Sequence, residues 1–202
     1  RQCGVASSRS LVVSGVYSIS GGLGGLGLRA ASLLVTRGAS RVLLSSRSGR
    51  VARDGQGLSA QLHELGKAAE LVACDGADYC ALLELTWRGR VISGTLHAAG
   101  ILQDRMVCFA TSQELSALLA PKALAASRVL GAAASMPLES ALLFSSVAAA
   151  FGNVGQASYA AANTCLDALA VSCQSVGRVG SSLHIPAVSG AGMGAVTFDR
   201  EQ

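Results

Sequence analysis

A serine, a tyrosine and an asparagine fall in one short stretch, Phe144-Ser145-Ser146 through Gly155-Gln156-Ala157-Ser158-Tyr159-Ala160-Ala161-Ala162-Asn163. Their spacing suits delivery of a proton to a carbonyl oxygen. The run Ala141 to Phe144 reads as a buried strand, so Ser146 lies where that strand ends. Tyr159 and Asn163, four apart on an alanine-rich helix, share one face of it. A phenol has a reference pKa of about 10, so a tyrosine that protonates an alkoxide at neutral pH needs a cation beside it. Lys122 is the candidate, in Pro121-Lys122-Ala123-Leu124 of a predicted helix leading into the Ser146 strand. A tyrosine on such a helix is ordinarily a packing residue, and a lone Pro-Lys pair says nothing. The four residues acquire meaning from a second motif.

That motif is Ser20-Gly21-Gly22-Leu23-Gly24-Gly25-Leu26-Gly27, which holds G-x-G-x-x-G as Gly22, Gly24 and Gly27, with Leu26 in the same turn. Glycines there let the backbone turn tightly and approach a pyrophosphate, which the positive end of the following helix can hold. In a glycine-rich chain such a run can equally be a linker. Here a predicted strand precedes it, a helix follows, and a second strand starts about 20 residues on, as a dinucleotide fold requires. Where a strict NAD binder carries an acid for the ribose 2′-hydroxyl, this chain reads Ser45-Ser46-Arg47-Ser48. A hydroxyl at Ser46 beside the Arg47 guanidinium suits a 2′-phosphate, so the expected cofactor is NADPH.

These motifs in combination resemble the ketoreductase domains of modular polyketide synthases, within the short-chain dehydrogenase/reductase superfamily. In most of that superfamily a lysine follows the tyrosine by four residues. In the polyketide ketoreductases asparagine takes that place and the lysine lies upstream, the arrangement of Asn163 and Lys122 here. The resemblance spans Val16 to about Met193. It implies NADPH-dependent reduction of a β-ketoacyl thioester borne by an acyl carrier protein, amid neighbouring synthase domains. Tyr159 would give the proton, Ser146 would hydrogen-bond the same oxygen, Lys122 would ease ionisation of the phenol and hold the cofactor ribose, and Asn163 would support a water-mediated relay. Asp75, after Cys74, would contact the adenine, although a helix-capping role fits it equally. His97-Ala98-Ala99-Gly100 would turn beside the nicotinamide ribose.

Two further positions are those the family uses to orient substrate: Asp104, in Leu102-Gln103-Asp104, and Phe151, eight residues before the tyrosine. An acid at 104 without a tryptophan at 151 implies a D-configured hydroxyl. The family's W-G-P-W turn is replaced by Ile185-Pro186-Ala187-Val188. The resemblance leaves open a fatty-acid synthase ketoreductase, a free-standing short-chain reductase, and a catalytically silent structural domain of a megasynthase.

Strands expected at Val12–Ile19, Arg41–Leu44, Glu70–Cys74, Val91–His97, Ala141–Ser145 and Ser181–Ile185 alternate with helices, the longest over Ser112–Ala134 and from the Tyr159 region to about Val176. Shorter helices are expected over Gly24–Arg37, Leu58–Leu65 and Ala81–Trp87. That alternation predicts α/β architecture, a doubly wound parallel sheet of Rossmann-like type in a single domain, residues 1–202. Half of the residues are hydrophobic and the net charge is only +4, with basic residues scattered singly, which argues against nucleic-acid binding. No apolar run is expected to reach the roughly 20 residues of a bilayer span. The six cysteines form no C-x-x-C pair and no metal-ligand spacing, and are read as reduced thiols of a cytoplasmic protein, or a plastid one within a larger synthase. With neither an initiator Met nor a signal peptide, the chain reads as a piece of something longer, truncated at the C-terminal lid and lacking the noncatalytic half-domain that precedes such domains.

Overall fold

β-Branched and aliphatic runs separated by glycine-rich turns build six strands: β1 (Val16–Ser20), β2 (Arg41–Ser46), β3 (Ala69–Ala73), β4 (Ile92–His97), β5 (Ser140–Ser146) and β6 (Ser181–Ile185). The structure, a computed structural model, describes residues 12–51, 56–78 and 91–188. All strand pairs are parallel and the order is β3-β2-β1-β4-β5-β6. Chain progression reverses between β1 and β4, which opens a ligand crevice at the carboxyl ends of the strands. This is the doubly wound sheet expected from the alternation.

Both faces of the sheet are covered. Helices α1 (Gly25–Thr36) and α2 (Leu58–Leu65) bring Leu28, Ala31 and Leu58 onto Ile19, Val42 and Leu44. Helices α3 (Ser112–Leu119), α4 (Ala125–Ala132), α5 (Ala148–Phe151) and α6 (Ala157–Ser175) follow in order. On the second face, Ala126 and Leu130 of α4 and Leu166 and Ala170 of α6 meet Ala141 and Leu143 of β5. The neighbouring β5 residues Leu142 and Phe144 pack on the first cluster, as a period of two demands. Each fully buried leucine contributes about 1.5–3 kcal/mol.

The first strand is shorter than expected because Gly15 turns at φ +83°, leaving Val12 and Val13 outside it. The long helix expected from Ser112 is broken at Pro121. A π-helical turn, Ala120–Leu124, separates α3 from α4, and the Ala125 N–H donates to the Ala120 carbonyl five residues back. Proline supplies no N–H to the regular ladder, and the wider turn accommodates that loss. The stretch Ser112–Ala132 does reach the length and mean hydropathy of a bilayer span, contrary to the sequence expectation. It packs against α6 and buries Lys122. Ala148–Phe151 is a short helix that the sequence did not announce. The helix expected over Ala81–Trp87 and the end of the resemblance near Met193 lie outside the described residues, whereas Cys74, Cys108, Cys165 and Cys173 are free thiols.

Candidate active site

β1 ends directly in the glycine turn. Gly21 adopts φ +72°, and a Cβ there would lie 2.5 Å from the Ala99 nitrogen, so only glycine lets the turn after β1 meet the turn after β4. Gly22 plays a different part from the one its motif suggests. Its missing Cβ would strike the Ile19 carbonyl at 2.7 Å, and the residue is packed beneath the cleft instead of lining it. Gly24, Gly25, Leu26 and Gly27 do line the cleft. No side chain caps α1, which leaves its first-turn N–H groups open to an anion.

Ser46 and Arg47 form the cleft's edge after β2. The Ser46 hydroxyl is buried without a partner and the Arg47 side chain is exposed. Asp75 stands on the cleft wall while its Oδ1 accepts the Ala77 N–H at 2.9 Å, capping its own turn. Ala98, Ala99 and Gly100 line the cleft, but the His97 ring lies beneath it, 1% exposed, with Nδ1 3.2 Å from the Ser20 hydroxyl. Burial, reinforced by the Lys122 charge, lowers its pKa to about 4, against the opposing pull of the Lys122 and Pro121 backbone. The imidazole is therefore neutral at pH 7 and couples β1 to β4.

Pro121 and Ala125 close the cleft at the π turn, and between them Lys122 points inward. Its side chain is 4% exposed, and Nζ donates to the Phe144 carbonyl at 3.2 Å while lying 5.1 Å from the Tyr159 ring centroid. Burial lowers the ammonium from its ordinary 10.5 to about 8, and Asp167 opposes the fall, so the group stays mostly cationic at neutral pH. At the end of β5 the Ser146 hydroxyl accepts the Ala148 N–H at 3.2 Å, which leaves its own proton to donate. On α6, Asn163 is fully buried; its Nδ2 donates to the Tyr159 carbonyl at 2.8 Å and its Oδ1 has no partner. A buried amide oxygen in that condition calls for a donor such as water. The Ser145 hydroxyl fixes the same helix through the Asn163 carbonyl at 3.3 Å.

The two positions expected to orient substrate differ in how they are held. Asp104 Oδ1 accepts from Gln156 Nε2 at 3.0 Å, and the Arg105 N–H donates to the Gly155 carbonyl at 2.7 Å, tying that loop to the entry of α6. Phe151 is 87% exposed and its ring projects into solvent. Sequence reasoning did not single out Gly21, Gly25 or Asp167. Gly21 was recoverable from the second glycine spacing interleaved in the run, whereas Asp167 carried no motif.

The KR domain sequence profile matches residues 15–190. The chain belongs to the KR domain family. The KR domain is 42% identical over 180 residues to a polyketide synthase, GfsA, of Streptomyces halstedii, covering 87% of the chain and 2% of that protein. Among solved structures it resembles a ketoreductase from the first module of phoslactomycin biosynthesis in Streptomyces sp. HK803, at TM-score 0.83 and 33% identity over 94% of the chain and 45% of that one. It also resembles A-type ketoreductases from a modular polyketide synthase, at TM-score 0.86 and 36% identity over 96% and 42%. The KR domain thus spans a small part of the curated synthases and under half of the solved chains. At these TM-scores its fold is that of ketoreductases of the short-chain dehydrogenase/reductase type, enzymes of nicotinamide chemistry.

Proposed function

We propose that this KR domain reduces the ketone of a β-ketoacyl thioester, presented by an acyl carrier protein within a polyketide synthase, with NADPH as reductant. The observation that carries this reading is Lys122, an ammonium buried beneath the Tyr159 ring at the end of the cofactor cleft. Burying a cation opposes folding, and its placement here serves proton donation. NADPH fits the residues present: the uncapped start of α1 suits the pyrophosphate, the orphan Ser46 hydroxyl and the exposed Arg47 suit the 2′-phosphate, and Asp75 suits the adenine. When bound, the nicotinamide supplies hydride to the ketone carbon. Ser146 donates a hydrogen bond to the ketone oxygen and keeps its proton, Tyr159 transfers the one proton to that oxygen as charge develops, and Lys122 stabilises the phenolate left behind. Asn163 Oδ1 accepts from a water that returns the proton. His97 and Gly22 act from below by fixing the turns.

Likeness to polyketide synthases favours this pathway over fatty-acid synthesis. The test is oxidation of NADPH by the chain with a simple β-keto thioester. Tyr159→Phe is expected to lower turnover by about 10² or more while NADPH affinity is kept. A variant that still turned over would remove Tyr159 from the donor role.

A further inference from the structure

We propose that Asp167 is a positioning residue for this reduction, a carboxylate that fastens the Tyr159–Asn163 helix to the edge strand β6 on either side of the rung whose carbonyl holds Lys122. The proposal rests on the roles given above to Lys122 and Tyr159. Tyr159, Asn163 and Asp167 recur every four residues on α6 and so run along one side of it. One Asp167 oxygen accepts the Ser182 hydroxyl and the other lies 3.0 Å from His184 Nε2. Ser182 and His184 flank Leu183, which pairs with Phe144, and the Phe144 carbonyl is the acceptor of Lys122 Nζ. Carboxylate and ammonium therefore hold adjacent rungs of the β5–β6 ladder from two different helical segments. β6 has no further strand beside it among the described residues, and these two side-chain bonds fix its position against α6.

The groups that bear on Lys122 divide by sign. From β4 comes His97, neutral at pH 7; from β5, the Phe144 carbonyl; from α6, the Tyr159 ring and Asp167. Among these Asp167 is the full negative charge, and it opposes the effect of burial on the ammonium. Removing that charge should let Lys122 lose its proton at a lower pH, whether or not the helix stays in place. A clamp of purely mechanical kind would leave the ammonium's titration alone. His184 shares the carboxylate but lies on the strand, so it separates the two effects.

The chain has two lysines, Lys67 and Lys122, which makes the ammonium directly observable by side-chain 15N NMR, with Lys122→Met assigning the signal. Across a pH titration of the full chain, the Lys122 midpoint is expected near 8 in the wild type. It should fall in Asp167→Asn, which keeps an acceptor for Ser182 but not the charge, return in Asp167→Glu, and hold in His184→Ala. An unmoved midpoint in folded Asp167→Asn overturns the proposal. If that variant does not fold, the wild type decides: the Asp167 carboxylate 13C resonance should inflect as Lys122 titrates, and a flat trace overturns it equally. In turnover assays the alkaline limb of kcat/KM should move to lower pH in Asp167→Asn without a change in KM for NADPH. Failure of the wild type to reduce ketones would count against the proposed function alone, because the NMR titration needs no turnover.

Discussion

Replacing Lys122 by Met should make the protein more stable at pH 7 while removing reductase activity. The fall of the ammonium from 10.5 to about 8 corresponds, at about 1.4 kcal/mol per pH unit, to roughly 3 kcal/mol by which its charged form opposes folding. Met fills much the same volume as the lysine stem and carries no charge. Against this, the variant loses a hydrogen bond to the Phe144 carbonyl, worth about 1 kcal/mol, and the contact with the Tyr159 ring, worth about 0.5–1 kcal/mol. The balance is a stabilisation of about 1–2 kcal/mol, or a rise in Tm of roughly 2–8 °C for a chain of this size. The unfolded chain holds the lysine proton more tightly than the folded one, so raising the pH from about 8 toward 10.5 relieves the wild type of its burden. The advantage of Lys122→Met should be full below pH 8, shrink across that window and vanish above it. Thermal unfolding of both proteins from pH 7 to pH 10 reads this directly. A variant less stable than wild type at pH 7, or a difference independent of pH, would refute the reasoning.

Arg47→Ala should weaken NADPH by about 1–3 kcal/mol and leave NADH nearly untouched, the loss of a charge-assisted hydrogen bond to phosphate; equal weakening of both in a binding titration would deny Arg47 that role. Gly21→Ala should destabilise the fold by about 1–3 kcal/mol or more, since its φ of +72° and the Ala99 backbone both exclude a Cβ, and urea unfolding measures it. The hydroxyl formed should be D-configured, with Asp104 held by Gln156 and no tryptophan at 151; a mainly L product on chiral chromatography would reverse this.

The sheet was legible because its signals are local: β-branched runs, glycine turns and alternation that permits few other topologies. The glycine turn was legible for the same reason, although the division of labour within it was not, since whether Gly22 meets a ligand or the Ile19 carbonyl depends on strand placement. His97 shows the limit more sharply. Its sequence neighbours line the cleft, yet the pleat turns its ring the other way, and one residue of parity separates wall from foundation. The π turn was signalled by Pro121, but a proline predicts a break without saying which way the next side chain will swing. Asp167 was invisible because its partners, Ser182 and His184, come from another element, and no spacing along the chain encodes that meeting.

In the wider superfamily arrangement, a lysine and tyrosine four apart on one helix have a separation set by the helix itself. Here Lys122 comes from the π turn and Tyr159 from α6, so their 5.1 Å separation is a property of a seam between two helical segments. That seam packs the buried Ala126 and Leu130 of α4 together with Leu166 and Ala170 of α6. A seam can loosen while the glycine turn and sheet stay intact, because local opening needs less free energy than global unfolding. Catalytic competence is therefore a more delicate quantity than foldedness in this chain. Heat, pressure or a single added methyl at Ala126 would, on the proposed mechanism, silence proton delivery in molecules whose glycine turn and sheet stay intact.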